Sequence, residues 1–146
     1  MDFELRQSLP EDAEFAFQTV KETMRDYAIQ TWGDWHEKES KVDAIDKTKS
    51  GELQIITYEG KDIGTLQIKE HEDYIEINKL YILSKHQNKG IGTQVLAYLI
   101  EHSRNRKKRL NLEVLQVNRA KEFYSRMVFK IIKENKERQF LQYSTS

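Results

Sequence analysis

The apolar pattern predicts an α/β (α+β) domain built on one mixed, mostly antiparallel sheet flanked by helices, in the order βααβββαβαββ. Three observations carry that prediction. Helical spacing recurs in two long segments, first through Ala13, Ala16, Phe17, Val20, Met24 and Tyr27, then through Ile91, Val95, Leu96, Leu99 and Ile100. Short β-branched and aromatic runs fill the chain between them. Glycine and short polar clusters mark the junctions.

Phe3 to Gln7 reads as a short strand, and Ser8-Leu9-Pro10-Glu11 has the Ser-x-x-Glu form of a capping box opening the first helix. That helix breaks around Thr31-Trp32-Gly33. Asp34-Trp35-His36-Glu37 offers a second cap, with Trp35, Val42 and Ile45 expected on the apolar side of the next helix. Gly51 closes the helical region. Leu53 to Tyr58 and Ile63 to Lys69 form a hairpin around Glu59-Gly60-Lys61-Asp62, and a turn at His71-Glu72-Asp73 leads into a strand from Tyr74 to Ile82.

That fourth strand breaks its own alternation. Ile75 and Ile77 share one face, but Leu80 and Ile82 fall on the opposite parity. One extra residue near Asn78-Lys79 returns them to the first face, so a β-bulge is expected there.

After a glycine loop, the second amphipathic helix runs to about Arg104, and the basic cluster Arg104-Asn105-Arg106-Lys107-Lys108-Arg109 suits the negative end of its dipole. Leu110, Leu112 and Val114 alternate as a strand. Asn118 can cap a short helix with Ala120, Phe123, Tyr124 and Met127 inward, and strands at 129–133 and 139–143 follow. Without repeats or linkers, residues 1–146 are expected to form one domain.

Composition narrows the function. Twenty-four basic and twenty-four acidic residues cancel, which gives no general attraction for nucleic acid or anionic membrane. The basic cluster lacks interleaved aromatics and reads as a solvated helix end. With no cysteine, disulfides, thiolate nucleophiles and Cys-based metal sites are excluded. The histidines lack metal-ligand spacing, so no metal is expected. Met1-Asp2-Phe3-Glu4 carries no basic segment followed by an apolar run, and no stretch approaches membrane-spanning length, so a cytoplasmic location is expected.

Gln87-Asn88-Lys89-Gly90-Ile91-Gly92 joins the fourth strand to a helix, where successive backbone N–H groups can face a phosphate. A dinucleotide fingerprint would need glycine at Val95. The pair Gly60-Lys61 lacks the upstream glycine and the hydroxyl residue of a P-loop. Taken alone, the segment reads equally as an anion cradle or as a tight turn.

Gln87, Gly90 and Gly92 fit a Gln/Arg-x-x-Gly-x-Gly/Ala motif, Leu80-Tyr81-Ile82 precedes it by five residues, and Asn118 through Phe123-Tyr124 follows as Asn-x-x-Ala-x-x-Phe-Tyr. With these segments, and in the order of its elements, the chain resembles the GCN5-related N-acetyltransferases over essentially its whole length. The resemblance implies acetyl-CoA as cosubstrate, lying where the bulged fourth strand splays from the fifth. It assigns cofactor contacts to Leu80, Tyr81, Ile82, Gln87, Asn88, Lys89, Gly90, Ile91, Gly92, Thr93, Asn118 and Phe123. Main chain at Leu80 and Ile82 would face pantetheine and the acetyl carbonyl.

The same resemblance makes Tyr124 the general acid for the departing thiolate. On residue pattern alone, Tyr124 reads as an inward aromatic and Asn118 as a helix cap. Glu76, eleven positions before Gln87, has the spacing of the carboxylate base in histone-acetylating members. It also reads as a solvated strand residue, with Glu113 and His86 as weaker candidates. Tyr27, Trp32 and Trp35 fall at the junction of the first two helices, which shapes the acceptor pocket in the family, and resemble a bacterial subgroup with a Trp-Gly-x-Trp segment. They read equally as core.

One residue departs from the family: Val128 stands where glycine usually precedes the phenylalanine after the tyrosine helix. A β-branched residue is strained at positive φ, so the turn is expected to close differently. The implied activity is direct acetyl transfer to a primary amine, on a small molecule or a peptide. A non-catalytic CoA-sensing module is the alternative, and a homodimer is possible from the habit of relatives.

Overall fold

The computed structural model describes residues 2–144; Met1, Thr145 and Ser146, which the sequence reading includes in its single domain, lie outside the described residues. The hydrogen-bonded strand order is β1-β2-β3-β4-β5-β7-β6, with β1 at Phe3–Gln7, β2 at Gln54–Tyr58, β3 at Lys61–Glu70, β4 at Tyr74–Ile82, β5 at Arg109–Leu115, β6 at Lys130–Glu134 and β7 at Arg138–Tyr143. The helices are α1 (Ala13–Trp32), α2 (Glu37–Ser50), α3 (Ile91–Asn105) and α4 (Ala120–Arg126). This is the expected mixed sheet and element order. The spatial order departs from the chain order only where β7 lies between β5 and β6.

The chain forms two compact units. One holds the residues up to Gln67 together with Lys79–Gln94. Here β1 runs antiparallel to β2 from Phe3↔Tyr58 to Gln7↔Gln54, and β2 to β3 around the two-residue turn Glu59-Gly60, whose φ values of 50° and 77° suit a hairpin. Ile55, Ile56, Ile63 and Leu66 are fully buried, each worth about 1.5–3 kcal/mol of removal from water. Ala16 and Phe17 of α1 pack with Ala44 of α2 and Leu53.

Two details of this unit differ from the sequence reading. The first cap comes from Asp12, whose Oδ2 accepts the Leu9 N–H at 2.8 Å while Arg6 grips both carboxylate oxygens at 2.9 Å. That guanidinium holds the Asp12 carboxyl below its usual pKa. Ser8 instead turns inward, its Oγ donating to the Thr48 carbonyl. On α2, Val42 and Ile45 are each 52 % exposed, and the buried residues are Ala44 and Thr48. Those two are one turn apart and small. Thr48 Oγ1 returns to the Ala44 carbonyl at 2.7 Å, which satisfies a buried hydroxyl.

The other unit holds Ile68–Asn78 and the residues from Val95 onward. β4 and β5 are parallel from Tyr74↔Arg109 to Ile77↔Leu112, and β5 pairs antiparallel with β7 from Leu110↔Tyr143 to Leu115↔Arg138. Ile75, Val95, Leu96, Leu99 and Leu110 form a dry interior. The basic cluster is partly neutralised: Arg106 Nε and Lys108 Nζ converge on Glu70 Oε2, and Arg104 pairs with Glu101.

The register along β3 and β4 contains the expected extra residue. The His71 N–H bonds the Tyr74 carbonyl at 2.8 Å. One-for-one pairing from that closure would set Ile63 opposite Ile82, yet the Leu83 N–H is the group that reaches the Ile63 carbonyl, at 2.9 Å. β4 therefore carries one residue more than β3 between Tyr74 and Leu83. The β4–β5 ladder ends at Ile77, directly before Asn78.

Candidate active site

Within the first unit, β4 ends against a glycine that the sequence reading passed over. A Cβ on Gly64 would collide with the Tyr81 carbonyl, so β3 and β4 approach too closely there for any side chain. An isolated glycine inside a strand pattern is a signal of such an approach, and Gly64 had it. Leu80 and Ile82 are half-buried, less than the core placement that parity led one to expect. The Tyr81 side chain shares a pocket lining with Asp43, Lys79 and Thr65, and burial followed by the Asp43 charge pushes its phenol pKa up to about 12. Any cofactor contact from Tyr81 thus falls to its backbone. Lys79 Nζ meets Asp43 Oδ2 at 2.8 Å.

The loop is built from that strand end. Ser84–His86 makes one 3-10 turn, and the Ser84 N–H is held by Glu22 Oε2 at 2.8 Å. Gln87 Nε2 folds back onto the Ile82 carbonyl at 2.7 Å. One of its two amide N–H donors is used on the strand, so the Gln87 side chain anchors the loop to the end of β4. Asn88 and Gly90 then take φ of 63° and 81°, conformations that asparagine and glycine reach at least cost.

α3 starts immediately afterwards, with the Gln94 N–H on the Gly90 carbonyl as its first bond at 3.1 Å. The N–H groups of Ile91, Gly92 and Thr93 precede it, and no acceptor among the described residues takes them. A Cβ at Gly90 would meet nothing within 4 Å, so the space beside these donors is open. Charge agrees with geometry. Burial, then Lys89, Lys85 and Lys61, lowers the pKa of His86, which marks an electropositive surround. By contrast, a depression of about 480 Å³ lined by Asp2, Glu4, Thr57, Tyr58, Glu59 and Gly60 carries three carboxylates, the wrong sign for a phosphate.

Tyr27, Trp32 and Trp35 belong to the same unit. Tyr27 and Trp32 stand about 140° apart around α1, since five residues exceed one turn by that angle. Trp32 is 48 % exposed, and Trp35 lies half-buried beyond the left-handed stop at Gly33.

In the second unit, Glu76 projects opposite Ile75 and Ile77, pairs with Asn111 across β5, and places Oε1 3.0 Å from His71 Nε2. Of the weaker candidates, Glu113 is paired with Arg138 at 3.8 Å, and His86, in the first unit, has its Nδ1 buried without a hydrogen-bond partner among the described residues. Asn118 Oδ1 accepts the Ala120 N–H at 2.8 Å, the expected cap. Tyr124 is 8 % exposed, with its ring 5.3 Å from Phe123 and edge-on to Phe129 at 5.7 Å.

α4 ends in a way the sequence reading did not expect. Val128 adopts φ 70°, its N–H bonds the Ser125 carbonyl, and the Phe129 N–H bonds the Tyr124 carbonyl, both at 3.0 Å. This is the glycine-type helix stop kept with a valine. The paired bonds and the Tyr124–Phe129 contact hold the strained residue, and the Val128 side chain escapes crowding by being 63 % exposed.

On the seven-stranded sheet, β4 leads through the open-donor start of α3 to the parallel strand β5. The model of the acetyltransferase (GNAT) domain matches residues 20–144, and the chain belongs to that family. Its fold is similar to PaiA N-acetyltransferase of Thermoplasma acidophilum in complex with coenzyme A (18 % identity, TM-score 0.75, 99 % of each chain covered). It is also similar to an acetyltransferase of Thermus thermophilus (17 %, 0.76, covering 98 % of this chain and 97 % of that one) and to Ard1 of Thermoplasma volcanium (13 %, 0.71, 98 % and 97 %). No curated protein matches the chain in sequence. Among the described residues no helix is long and apolar enough to cross a membrane, and no group of three or more His, Cys, Asp or Glu side chains is placed to hold a metal ion.

Proposed function

We propose that the whole chain acts as one N-acetyltransferase domain that moves the acetyl group of acetyl-CoA to a primary amine by direct attack in a ternary complex. The observation that carries this reading is the set of unclaimed N–H groups of Ile91, Gly92 and Thr93 beside the open flank of Gly90, in lysine-rich surroundings. A diphosphate is the ligand class that fits such donors. Acetyl-CoA supplies an acyl thioester, already activated for attack by an amine. Asn118 supports it from α4, because its cap uses only Oδ1 and leaves the side-chain NH₂ to donate to pantetheine.

The remaining roles concern protons and charge. An alkylammonium has a pKa near 10.4 and must lose a proton before it can attack. Glu76 accepts that proton, directly or through water. Backbone N–H groups around Leu80–Ile82 hold the negative charge that develops on the carbonyl oxygen. Tyr124 gives its hydroxyl proton to the sulfur as the carbon–sulfur bond breaks, and the second proton that the nitrogen sheds on becoming an amide restores the tyrosine, directly or through water. No cysteine is present to carry an acetyl group covalently. Tyr27, Trp32 and Trp35 are the proposed acceptor side.

Acetyl-CoA is expected to raise the thermal midpoint of the chain and to release free thiol with at least one member of an amine panel. Stabilisation without thiol release from any amine would replace the enzyme by a CoA-sensing module. Tyr124→Phe is expected to lower kcat by about 10²-fold with acetyl-CoA affinity nearly unchanged. Wild-type turnover in that variant would remove the tyrosine from the reaction.

A further inference from the structure

His71 occupies the turn between β3 and β4, five residues before Glu76, and no periodicity in the sequence singles it out. Its Nε2 lies 3.0 Å from Glu76 Oε1. An ionised carboxylate only accepts, so a neutral His71 in this contact carries its proton on Nε2 and donates it. The ring is fixed from several sides. It stacks on Tyr74 with centroids 4.3 Å apart and planes inclined by 15°. Its main-chain N–H bonds the Tyr74 carbonyl at 2.8 Å, and its own carbonyl accepts from Lys108 Nζ at 2.7 Å. Lys108 is itself anchored on Glu70. The second oxygen, Glu76 Oε2, has no protein partner among the described residues.

We propose that His71 is the positioning residue for the Glu76 base, holding Oε1 through Nε2–H so that Oε2 is the atom that receives the amine proton. The inference rests on the reading of Glu76 as base. In the step, an N–H bond of the acceptor ammonium breaks and an O–H bond forms at Oε2. The Nε2–H···Oε1 bond persists throughout, so the ring neither gains nor loses a proton. A carboxylate on a strand, free to rotate about its side-chain torsions, would spend most of its time in other orientations. The stacked imidazole removes that freedom.

Two measurements decide the matter. In the chain alone, the ¹⁵N spectrum of the His71 ring is expected to show the Nε2–H tautomer, with a hydrogen-bonded Nε2 proton whose resonance moves in Glu76→Ala. An Nδ1–H tautomer, or a spectrum that Glu76→Ala leaves unchanged, overturns the proposal. With acetyl-CoA and whichever alkylamine of a panel is turned over, His71→Leu is expected to lower kcat about tenfold to a hundredfold with the amine KM within about twofold. His71→Gln, which keeps an Nε2–H donor, is expected to recover most of that loss. Wild-type kcat in His71→Leu, or equal impairment in both variants, would each sink the proposal while a slow Glu76→Gln preserved the base assignment. Full activity in Glu76→Gln, or turnover of no amine, would instead overturn the reading beneath it.

Discussion

α3 and α4 each follow one of the two parallel strands, yet they begin in opposite ways. Both face the same shortfall, because the first N–H groups of a helix have no partner within it. α4 meets the shortfall from its own sequence: Asn118 Oδ1 takes the Ala120 N–H, and the Asn118 and Arg119 carbonyls take the next two donors. Among the described residues nothing meets the N–H groups of Ile91, Gly92 and Thr93 at the start of α3, and glycine and lysine stand around them in the sequence. Leaving such donors unpaired forgoes stability unless a ligand completes them. A completed start serves architecture, and under the proposed function the incomplete one in positive surroundings serves recognition.

Giving Gly90 a side chain is the largest test of that contrast. Gly90→Val is expected to weaken acetyl-CoA binding on the order of tenfold to a hundredfold in calorimetry, the loss of one charged hydrogen bond or its equivalent. Gly33→Val is the matched control, since Gly33 also has positive φ (78°) and open space at its Cβ, but ends a helix. The two substitutions should cost similar folding stability, and equal acetyl-CoA affinity in both would break the comparison. Removing the cap from the other start has a smaller effect. Asn118→Ala is expected to cost about 1 kcal/mol in denaturant unfolding. Smallest is the far end of α4, where Val128→Gly is expected to stabilise the chain by up to about 1 kcal/mol, as relief of left-handed strain outweighs glycine's added freedom when unfolded. Destabilisation would show that the valine side chain contributes more than its exposure implies.

Where side-chain pattern and backbone geometry coincide, the sequence was legible. The element order, the Gly33 and Gly51 stops and the extra residue of β4 all follow from spacing and from where glycine falls. Patterns failed where contact between distant segments decides. Val42 and Ile45 looked like the buried face of α2, but close packing selected Ala44 and Thr48. Ser8 and Glu11 had the form of a cap, but the Arg6–Asp12 ion pair made Asp12 the better acceptor. At the site, the loop and Asn118 could be read from residue types in order along the chain. The grip of Gln87 on Ile82 and that of His71 on Glu76 could not, because both depend on how a strand end and a hairpin turn fold back.

The additional residue in β4 makes this strand sensitive to length in a way that its composition hides. A substitution in β4 alters one side chain on one face. A deletion between Tyr74 and Leu83 would either consume the extra residue, exchanging the faces of those between the deletion and the bulge, or slip Ile82, whose carbonyl holds Gln87, by one position along β3. Variation in this segment is therefore confined to changes of letter, and any drift in spacing here would have to be matched by an equal change in β3.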